Sequence, residues 1–432
     1  MGKEGPAFSR VRVTIIDGAG CGEAKNRRAN HPHDEGTNSI LHASYARPLE
    51  ASALDSLGIR RIPGLEDLHI NGKKEEVRGA YGVLTPSHTG NGSPEGHGAL
   101  MGYDVQEPYL YFDKDGFPPE IMALVQDAVG TALHRPVQII RNPGTDDIGG
   151  VPFINKAGIG DAHVASAQGD GPLKIPTYAS SDSLVQIALH QLVVPQPMIE
   201  QIGKVVRAAI DKKGLRIGRV IMRPFTDNDK YPLEQDRFKR VSADRRDYAV
   251  DADGPTLLDV LAAAGIPING FGKAASMLNY RGVDPRNIQK LGSDEERMQA
   301  IVDFWKQQGG KNQFGFDNLV GTDELWGHPR KPEEWSNHLS MISRYIAQGM
   351  LGMTDTDLWI ITADHGNDPT QKKHFNHTNE RVPLLVFSPR IQGSINLGVR
   401  KSFADVAKTV AENFGVAKNP LDGTSFLQEL QK

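Results

Sequence analysis

Six acidic and imidazole side chains follow short apolar runs of the sequence, at positions suited to binding divalent metal ions. Asp364 and His365 come directly after the run 358–363, and Asp17 follows the run 13–16. Functional groups of an open parallel sheet gather beyond the carboxyl ends of its strands. Carboxylate oxygens and imidazole nitrogens are the ligands that a two-metal enzyme uses. The sequence therefore predicts a two-metal site, formed by Asp17, Asp323, His328, Asp364, His365 and His377.

Taken singly, these residues also have ordinary structural explanations. An aspartate after a strand is usually the N-cap of the next helix, and a single histidine is usually a satisfied polar residue. The adjacent pair Asp364–His365 fits this explanation less well, because two polar groups at the end of a buried strand both need partners. The prediction of a metal site depends on the whole set of six.

The glycine-rich segment 90–103 contains a candidate nucleophile, Ser93. Its glycines would let backbone N–H groups converge on an anion, and Ser93 followed by Pro94 suits a helix N-terminus, where partial positive charge gathers. A serine hydroxyl at that point, bound to a metal, could lose its proton and attack phosphorus. The alternative is that Ser93 is only a helix N-cap.

The elements that must position these residues alternate between strands and helices. Short β-branched runs predict strands at 11–17, 137–143, 218–225, 357–365 and 382–389, with helical spacing between them. Helices are expected after Pro118 and Pro332, and another is expected to end at Gly415. This alternation predicts an α/β protein with a largely parallel sheet.

Composition changes in the middle of the chain. Residues 143–175 are rich in Gly, Asp and Pro, and residues 225–254 are dense in charge. These stretches predict long loops of a second unit, inserted into the first at roughly 105–253. With 432 residues, the chain is long enough for two domains.

Composition also excludes several classes of function. The net charge of −4 argues against a nucleic-acid-binding surface, and no apolar run reaches the roughly 20 residues that a membrane helix needs. The single cysteine, Cys21, cannot form an internal disulfide, and the first residues carry no secretory signal. We therefore expect a cytoplasmic protein without a membrane or nucleic-acid partner.

Five segments resemble landmarks of the alkaline phosphatase superfamily of metalloenzymes, and within it of the phosphopentomutases. They are IIDGAG, GNGSPEGH, DELWGH, ITADHGNDP and NHTNERVPLLVFS. The resemblance implies an alkaline-phosphatase-like, doubly wound sheet core made of 1–104 and 254–432, with an inserted α/β cap domain at 105–253. It also implies two divalent metal ions and favours Mn²⁺.

The resemblance extends to the roles of individual residues. Asp17, Asp364 and His365 would hold one ion, completed by the Ser93 oxygen, and Asp323, His328 and His377 would hold the other. A sugar phosphate would be bound by Asp182, Arg223 and Arg245, with Arg240 and Lys273 as helpers. The guanidinium fork of arginine suits a phosphate group because it can donate to two oxygens.

The activity implied is that of a phosphomutase, an isomerase of nucleoside metabolism. It would interconvert pentose 1-phosphate and pentose 5-phosphate through a phosphoserine at Ser93, so its partner would be a small sugar phosphate.

The nucleophile segment departs from the family pattern, which has threonine in place of Ser93 and a Trp-Glu pair after the histidine, and Arg246 replaces a family histidine. Three alternatives therefore stay open: a mutase for another phosphorylated sugar-like metabolite, a metal-dependent phosphatase, and a noncatalytic metal-binding protein. The sequence does not determine the oligomeric state.

Overall fold

The structure is a computed structural model that describes most of the 432 residues. The described residues are 5–27, 29–105, 107, 109–112, 116–141, 151–155, 158–179, 183–228, 237–252, 254–289, 291–307, 309–416 and 420–431. The chain divides into two compact units, which we call the core unit (residues 1–106 and 252–432) and the inserted unit (residues 107–251). None of the described helices is both long and apolar enough to cross a membrane.

Strands and helices alternate along most of the described chain. The strands are β1 Arg10–Ile16, β2 Gly79–Leu84, β3 Val137–Arg141, β4 Leu173–Tyr178, β5 Leu184–His190, β6 Arg219–Asp227, β7 Phe238–Arg240, β8 Arg246–Ala249, β9 Ile268–Phe271, β10 Ile288–Gln289, β11 Gln313–Leu319, β12 Asp357–Thr362, β13 Val382–Phe387 and β14 Ser394–Arg400. The α-helices are α1 Ser39–Ala46, α2 Ser52–Ser56, α3 Ser93–Leu100, α4 Pro119–Leu133, α5 Val151–Asn155, α6 Ile159–Ser166, α7 Gln196–Lys212, α8 Leu257–Ala263, α9 Asp294–Lys306, α10 Pro332–Leu351, α11 Ala404–Asn413 and α12 Leu427–Leu430.

The core unit is built on one sheet with the strand order β10-β9-β11-β1-β12-β13-β2-β14. All neighbours pair in parallel except around β13, which runs antiparallel to both β12 and β2. In the centre, β1 lies between β11 and β12, so that Thr14 is opposite both Asp317 and Ile361. The carboxyl ends of these three strands therefore meet at one edge of the sheet.

The central strands are buried along their whole length, as expected for a parallel sheet covered on both faces. Among the helices, α10 contacts α1, α2 and α9, whereas α11 contacts α3, α8 and α12. The prediction of an α/β fold with a doubly wound sheet is confirmed, and β13 is the exception to its parallel order.

The inserted unit has its own sheet, with the order β3-β4-β5-β6-β7, and β8 also pairs with β6. Its longest helix, α7, buries Ile199, Ile202, Val206 and Ile210, which recur at three- and four-residue spacing on one face. The expectation of long loops over 143–175 is wrong for the part that the structure describes. That part contains α5, α6 and the start of β4. The two helices have only five and eight residues, too few turns for an apolar periodicity to predict them.

The predicted helices and strands that lie within the described residues are present. Helix α4 follows Pro118, α10 begins at Pro332, and Gly415 adopts a left-handed conformation, with φ of +74°, just after α11. Strands overlap each of the five predicted runs, although residues 142 and 143 of the second run lie outside the described residues.

Two buried ion pairs stabilise the centre of the core sheet. Arg12 donates from Nη1 to both carboxylate oxygens of Asp317, at 2.6 and 2.7 Å. Arg10 pairs with Asp357 at 2.5 Å, and the side chains of both pairs are almost fully buried. Burial raises the pKa of Asp317, while the charge of Arg12 opposes that shift. Each pair therefore places a guanidinium group beside a buried carboxylate.

Removing one partner of a buried pair leaves the other charge without compensation. We expect Arg12→Met to lower the free energy of unfolding of the core unit by about 3–5 kcal/mol. Urea denaturation followed by tryptophan fluorescence measures this change. Arg286→Met, which removes the exposed partner of Asp284, is the matched control and should leave the transition unchanged. Equal free energies of unfolding for the two variants would show that the buried pair contributes no more to stability than the exposed pair.

Candidate active site

The first cluster of candidate ligands lies at the carboxyl edge of β1 and β12. It consists of Asp17, immediately after β1, and of Asp364 and His365, just after β12. Each residue offers one ligand atom, and these atoms all lie within 4.8 Å of one another. Both carboxylates are fully buried, and His365 is 3% exposed. The two parallel strands thus bring together residues that are almost 350 positions apart in the chain.

The second cluster consists of Asp323, His328 and His377, whose ligand atoms also lie within 4.8 Å of one another. Asp323 lies on a π-helical turn, Thr322–Gly327, and His328 follows this turn directly. The carboxylate oxygens of Asp323 are 3.4 Å from Nε2 of each histidine. The amide of Asn367 also donates to Oδ1 of Asp323 at 2.7 Å. The predicted six residues therefore form two compact groups of three.

The two clusters adjoin each other. The rings of His365 and His377 are stacked, with their centroids 3.8 Å apart and their planes at 22°. A histidine of the first cluster thus lies against a histidine of the second. Two ions held by the clusters would be close neighbours, as they are in two-metal enzymes.

Ser93 is the first residue of α3, and its hydroxyl reaches the first cluster. Its Oγ lies 3.0 Å from Nε2 of His365. Gly92 occupies the N-cap position with an extended backbone, and every residue of α3 is buried. The hydroxyl is therefore placed at the positive end of a buried helix and beside the candidate ligands.

The hydrogen bonds of the three cluster histidines suit metal binding. Nδ1 faces a backbone carbonyl oxygen in each case: Gly366 for His365 at 3.2 Å, Phe375 for His328 at 2.8 Å and Asn91 for His377 at 3.0 Å. A carbonyl oxygen only accepts, so Nδ1 carries the ring hydrogen and the Nε2 lone pair is left for a cation. Such contacts orient the imidazole ligands of metal sites.

The groups that face each other inside the clusters are suited to holding a positive charge between them. Nε2 of His328 and Nε2 of His377 are 3.2 Å apart, which places two lone pairs in contact. Oδ1 of Asp17 and Oδ2 of Asp364 are buried and accept no hydrogen bond from the part of the chain that the structure describes. Burial, and then the charge of Asp364, raise the pKa of Asp17 well above its usual value. The donor set of oxygens and nitrogens fits divalent cations.

Comparison with known proteins identifies the family of this chain. The Metalloenzyme superfamily matches residues 271–418. The chain is 32% identical to the phosphopentomutase of Caldanaerobacter subterraneus subsp. tengcongensis, with 98% of each chain covered. It is 33% identical to the phosphopentomutase of Levilactobacillus brevis, with 98% of this chain and 100% of that protein covered. The chain belongs to the phosphopentomutase family.

This membership confirms the predicted family and makes the protein an enzyme, an isomerase of the intramolecular phosphotransferase type. A solved structure of Leishmania mexicana phosphoglycerate mutase, determined at low cobalt concentration, covers 98% of both chains. It has 12% sequence identity and a TM-score of 0.44.

Four of the five predicted substrate residues lie in the described part of this phosphopentomutase-family chain, and Asp182 lies outside it. Lys273 lies beside the first cluster, where Nζ is 2.9 Å from Oδ2 of Asp17. The predicted arginines Arg223, Arg240 and Arg245 lie near one another in the inserted unit, around buried Tyr178. Burial, and then the charge of Arg245, lower the pKa of Arg223 to about 10.

The predicted arginines already have partners inside the inserted unit. Arg245 donates to both oxygens of Asp247 at 2.6 Å, and Nε of Arg223 donates to Gln186 at 2.6 Å. Arg246, which replaces a family histidine, pairs with Glu200 at 2.8 Å. The inserted unit therefore contains a concentrated positive charge, and Asp247 balances part of it.

Sequence reasoning missed residues that hold the two clusters in place. Arg330 donates to five acceptors on the segments around the second cluster: Gly327, Asn367, Asp368, His374 and Asn376. His97 and Asn318 link α3 to the carboxylates of the first cluster. Arg330 follows His328 closely in sequence, but only the fold reveals what these three side chains contact.

The close packing of α3 against Asp364 gives a test of the site. An added Cβ at Gly96 would collide with the carbonyl oxygen of Asp364 and lie 2.7 Å from its carbonyl carbon. We expect Gly96→Ala to destabilise the core unit by about 1–3 kcal/mol, because backbone must move, and to weaken binding of divalent metal. Thermal unfolding and metal titration measure the two effects.

Gly98→Ala is the matched control on the same helix. Its added Cβ would lie 3.3 Å from the nearest atom, the backbone oxygen of Tyr103. The higher helix propensity of alanine, worth up to about 1 kcal/mol, offsets this tight contact. Equal effects of the two substitutions would show that the approach of α3 to Asp364 is unimportant.

Proposed function

We propose that this protein interconverts the 1-phosphate and 5-phosphate of a pentose, with Ser93 as the carrier of the phosphoryl group. The observation that carries the proposal is the position of Ser93, whose Oγ lies 3.0 Å from His365 Nε2 beside both clusters. Membership of the phosphopentomutase family supports the choice of a pentose phosphate as substrate.

The two clusters would each hold one divalent cation, and the resemblance to the family favours Mn²⁺. Asp17, Asp364 and His365 would bind the first, and Asp323, His328 and His377 the second. When bound, the cations would neutralise negative charge on the transferring phosphoryl group and favour the ionised form of the attacking hydroxyl.

Ser93 would act twice in each turnover. In the first step, the bond between phosphorus and Ser93 Oγ breaks as a free hydroxyl oxygen of the sugar phosphate bonds to phosphorus and loses its proton. In the second step, Ser93 Oγ bonds to the other phosphorus of the bisphosphate, and the ester oxygen that leaves gains a proton. The net result is an isomerised sugar phosphate and a phosphorylated Ser93.

The surroundings of Ser93 favour this role over that of a simple helix cap. The N-cap position belongs to Gly92, and the structure records no side-chain cap for α3. The N-terminus of α3 supplies partial positive charge where the phosphoryl group would sit. In the inserted unit, Arg223, Arg240 and Arg245 offer guanidinium groups of the kind that bind phosphate oxygens, and Lys273 adds a cation beside Asp17.

The product of the reaction tests the proposal directly. Phosphorus NMR of the Mn²⁺-loaded enzyme with ribose 5-phosphate, and a trace of a sugar bisphosphate to phosphorylate Ser93, should show ribose 1-phosphate and little inorganic phosphate. Release of inorganic phosphate as the main product would identify a phosphatase. If the enzyme isomerises other sugar phosphates but not ribose 5-phosphate, its substrate is not this pentose phosphate.

Ser93→Ala is expected to lower this isomerisation at least about a thousand-fold, because the carrier of the phosphoryl group is removed. Intact mass should show a phosphorylated wild type and an unmodified variant, while the metal content stays equal. Ser52→Ala, at an exposed serine of the same unit, is the control. A Ser93→Ala enzyme that turns over at the wild-type rate would overturn the assignment.

A further inference from the structure

His97 joins the helix that carries Ser93 to the carboxylates of the first cluster. It lies one turn after Ser93 on α3, and its side chain is fully buried. Its Nδ1 lies 2.9 Å from the backbone oxygen of Ser93 and 3.2 Å from Oδ2 of Asp364. One ring nitrogen therefore faces both the nucleophile residue and a candidate metal ligand.

Asn318, near the end of β11, determines which nitrogen of His97 carries the hydrogen. Its amide nitrogen lies 3.2 Å from Oδ2 of Asp17. The same amide nitrogen lies 3.0 Å from Nε2 of His97. An amide nitrogen only donates, so Nε2 must accept and Nδ1 must carry the ring hydrogen. The Nδ1–H group then donates to the backbone oxygen of Ser93, and Asp364 Oδ2 lies 3.2 Å from the same nitrogen.

The orientation of Asn318 follows from its surroundings. The backbone carbonyl oxygen of Ser93 only accepts, so the hydrogen of the His97 ring is on Nδ1 and Nε2 carries none. If the Asn318 amide were reversed, its oxygen would face Nε2, and two acceptors would be in contact. Asp17, Asn318 and His97 thus form a chain of hydrogen bonds that ends on the backbone of the nucleophile residue. This chain connects three separate segments: the end of β1, the end of β11 and helix α3.

We propose that His97 is a positioning residue for phosphoryl transfer. Asn318 holds it in its Nδ1–H tautomer, and His97 fixes the position of Ser93 relative to Asp364. This inference rests on the proposed function, because it gives His97 a role in the reaction that Ser93 performs. Groups that orient metal ligands typically change metal affinity or activity by roughly 10- to 100-fold when they are removed.

A buried histidine with a purely structural role provides the comparison. In the inserted unit, Nδ1 of His163 lies 2.5 Å from the backbone oxygen of Lys174, and Nε2 accepts from the backbone N–H of His190 at 3.1 Å. Both contacts are with the backbone of the surrounding strands. His97 instead contacts the Ser93 backbone, the Asp364 carboxylate and an amide bound to Asp17.

Two substitutions of His97 separate its hydrogen bond from its volume. The amide nitrogen of asparagine can take the place of Nδ1, whereas the amide of glutamine reaches the position of Nε2 and leaves no donor at the position of Nδ1. We expect His97→Asn to keep kcat within about tenfold of wild type, and His97→Gln to lower kcat roughly 10- to 100-fold with KM nearly unchanged. Titration with Mn²⁺ alone should show weaker binding for His97→Gln. His163→Gln is the control and should keep the wild-type Mn²⁺ affinity.

The tautomer can be measured without any assay of activity. Nitrogen NMR of histidine-labelled wild-type protein should show the His97 hydrogen on Nδ1. If His97→Gln does not fold, Asn318→Leu tests the same chain and should shift that hydrogen and weaken Mn²⁺ binding. A hydrogen found on Nε2 in wild type, or a folded His97→Gln with wild-type kcat and Mn²⁺ affinity, would overturn the proposal. A wild-type enzyme without mutase activity would instead refute the proposed function, and the Mn²⁺ affinity and the tautomer would still decide the role of His97.

Discussion

Three carboxylates taken out of water within one small volume are the constraint on which the rest of this structure depends. Asp17 and Asp364 are fully buried, and Asp323 is nearly so. Burial, and then the charge of Asp364, raise the pKa of Asp17, because an ionised carboxylate is costly away from water and beside a like charge. Divalent cations held by the two clusters would remove this cost. The same arrangement would create the positive field that a phosphoryl group requires.

The fold meets this constraint by placing two of the acids, Asp17 and Asp364, just beyond the ends of β1 and β12, and Asp323 on the π-helical turn that follows β11. Strands β11, β1 and β12 pair in parallel at the centre of the core sheet, and the buried pairs Arg10–Asp357 and Arg12–Asp317 tie them together at some distance from that edge. Helix α3 then approaches so closely that only glycine fits at position 96 against Asp364. Close backbone packing thus fixes α3, which begins at Ser93, against the candidate ligand Asp364.

Much of this arrangement could be predicted from local sequence. A β-branched run followed by Asp-His at 364–365 identifies both the strand and its functional end, since parallel strands share one edge. The contacts of Lys273 could not be predicted, because its pairing with Asp17 depends on where a turn far along the chain is placed. The chain of hydrogen bonds through Asn318 and His97 joins residues 221 positions apart, and no periodicity encodes such a contact. Apolar spacing likewise does not predict short glycine-containing helices such as α6.

Anomalous diffraction from crystals grown with Mn²⁺ tests most directly whether the two clusters hold a pair of divalent cations beside Ser93. Difference maps at the manganese absorption edge should show one peak among Asp17, Asp364 and His365 and a second among Asp323, His328 and His377. The two peaks should lie about 3.5–4 Å apart, as in two-metal enzymes. Maps without a peak at either cluster, from crystals of protein shown to contain manganese, would show that the metal binds elsewhere and that the clusters are not metal sites.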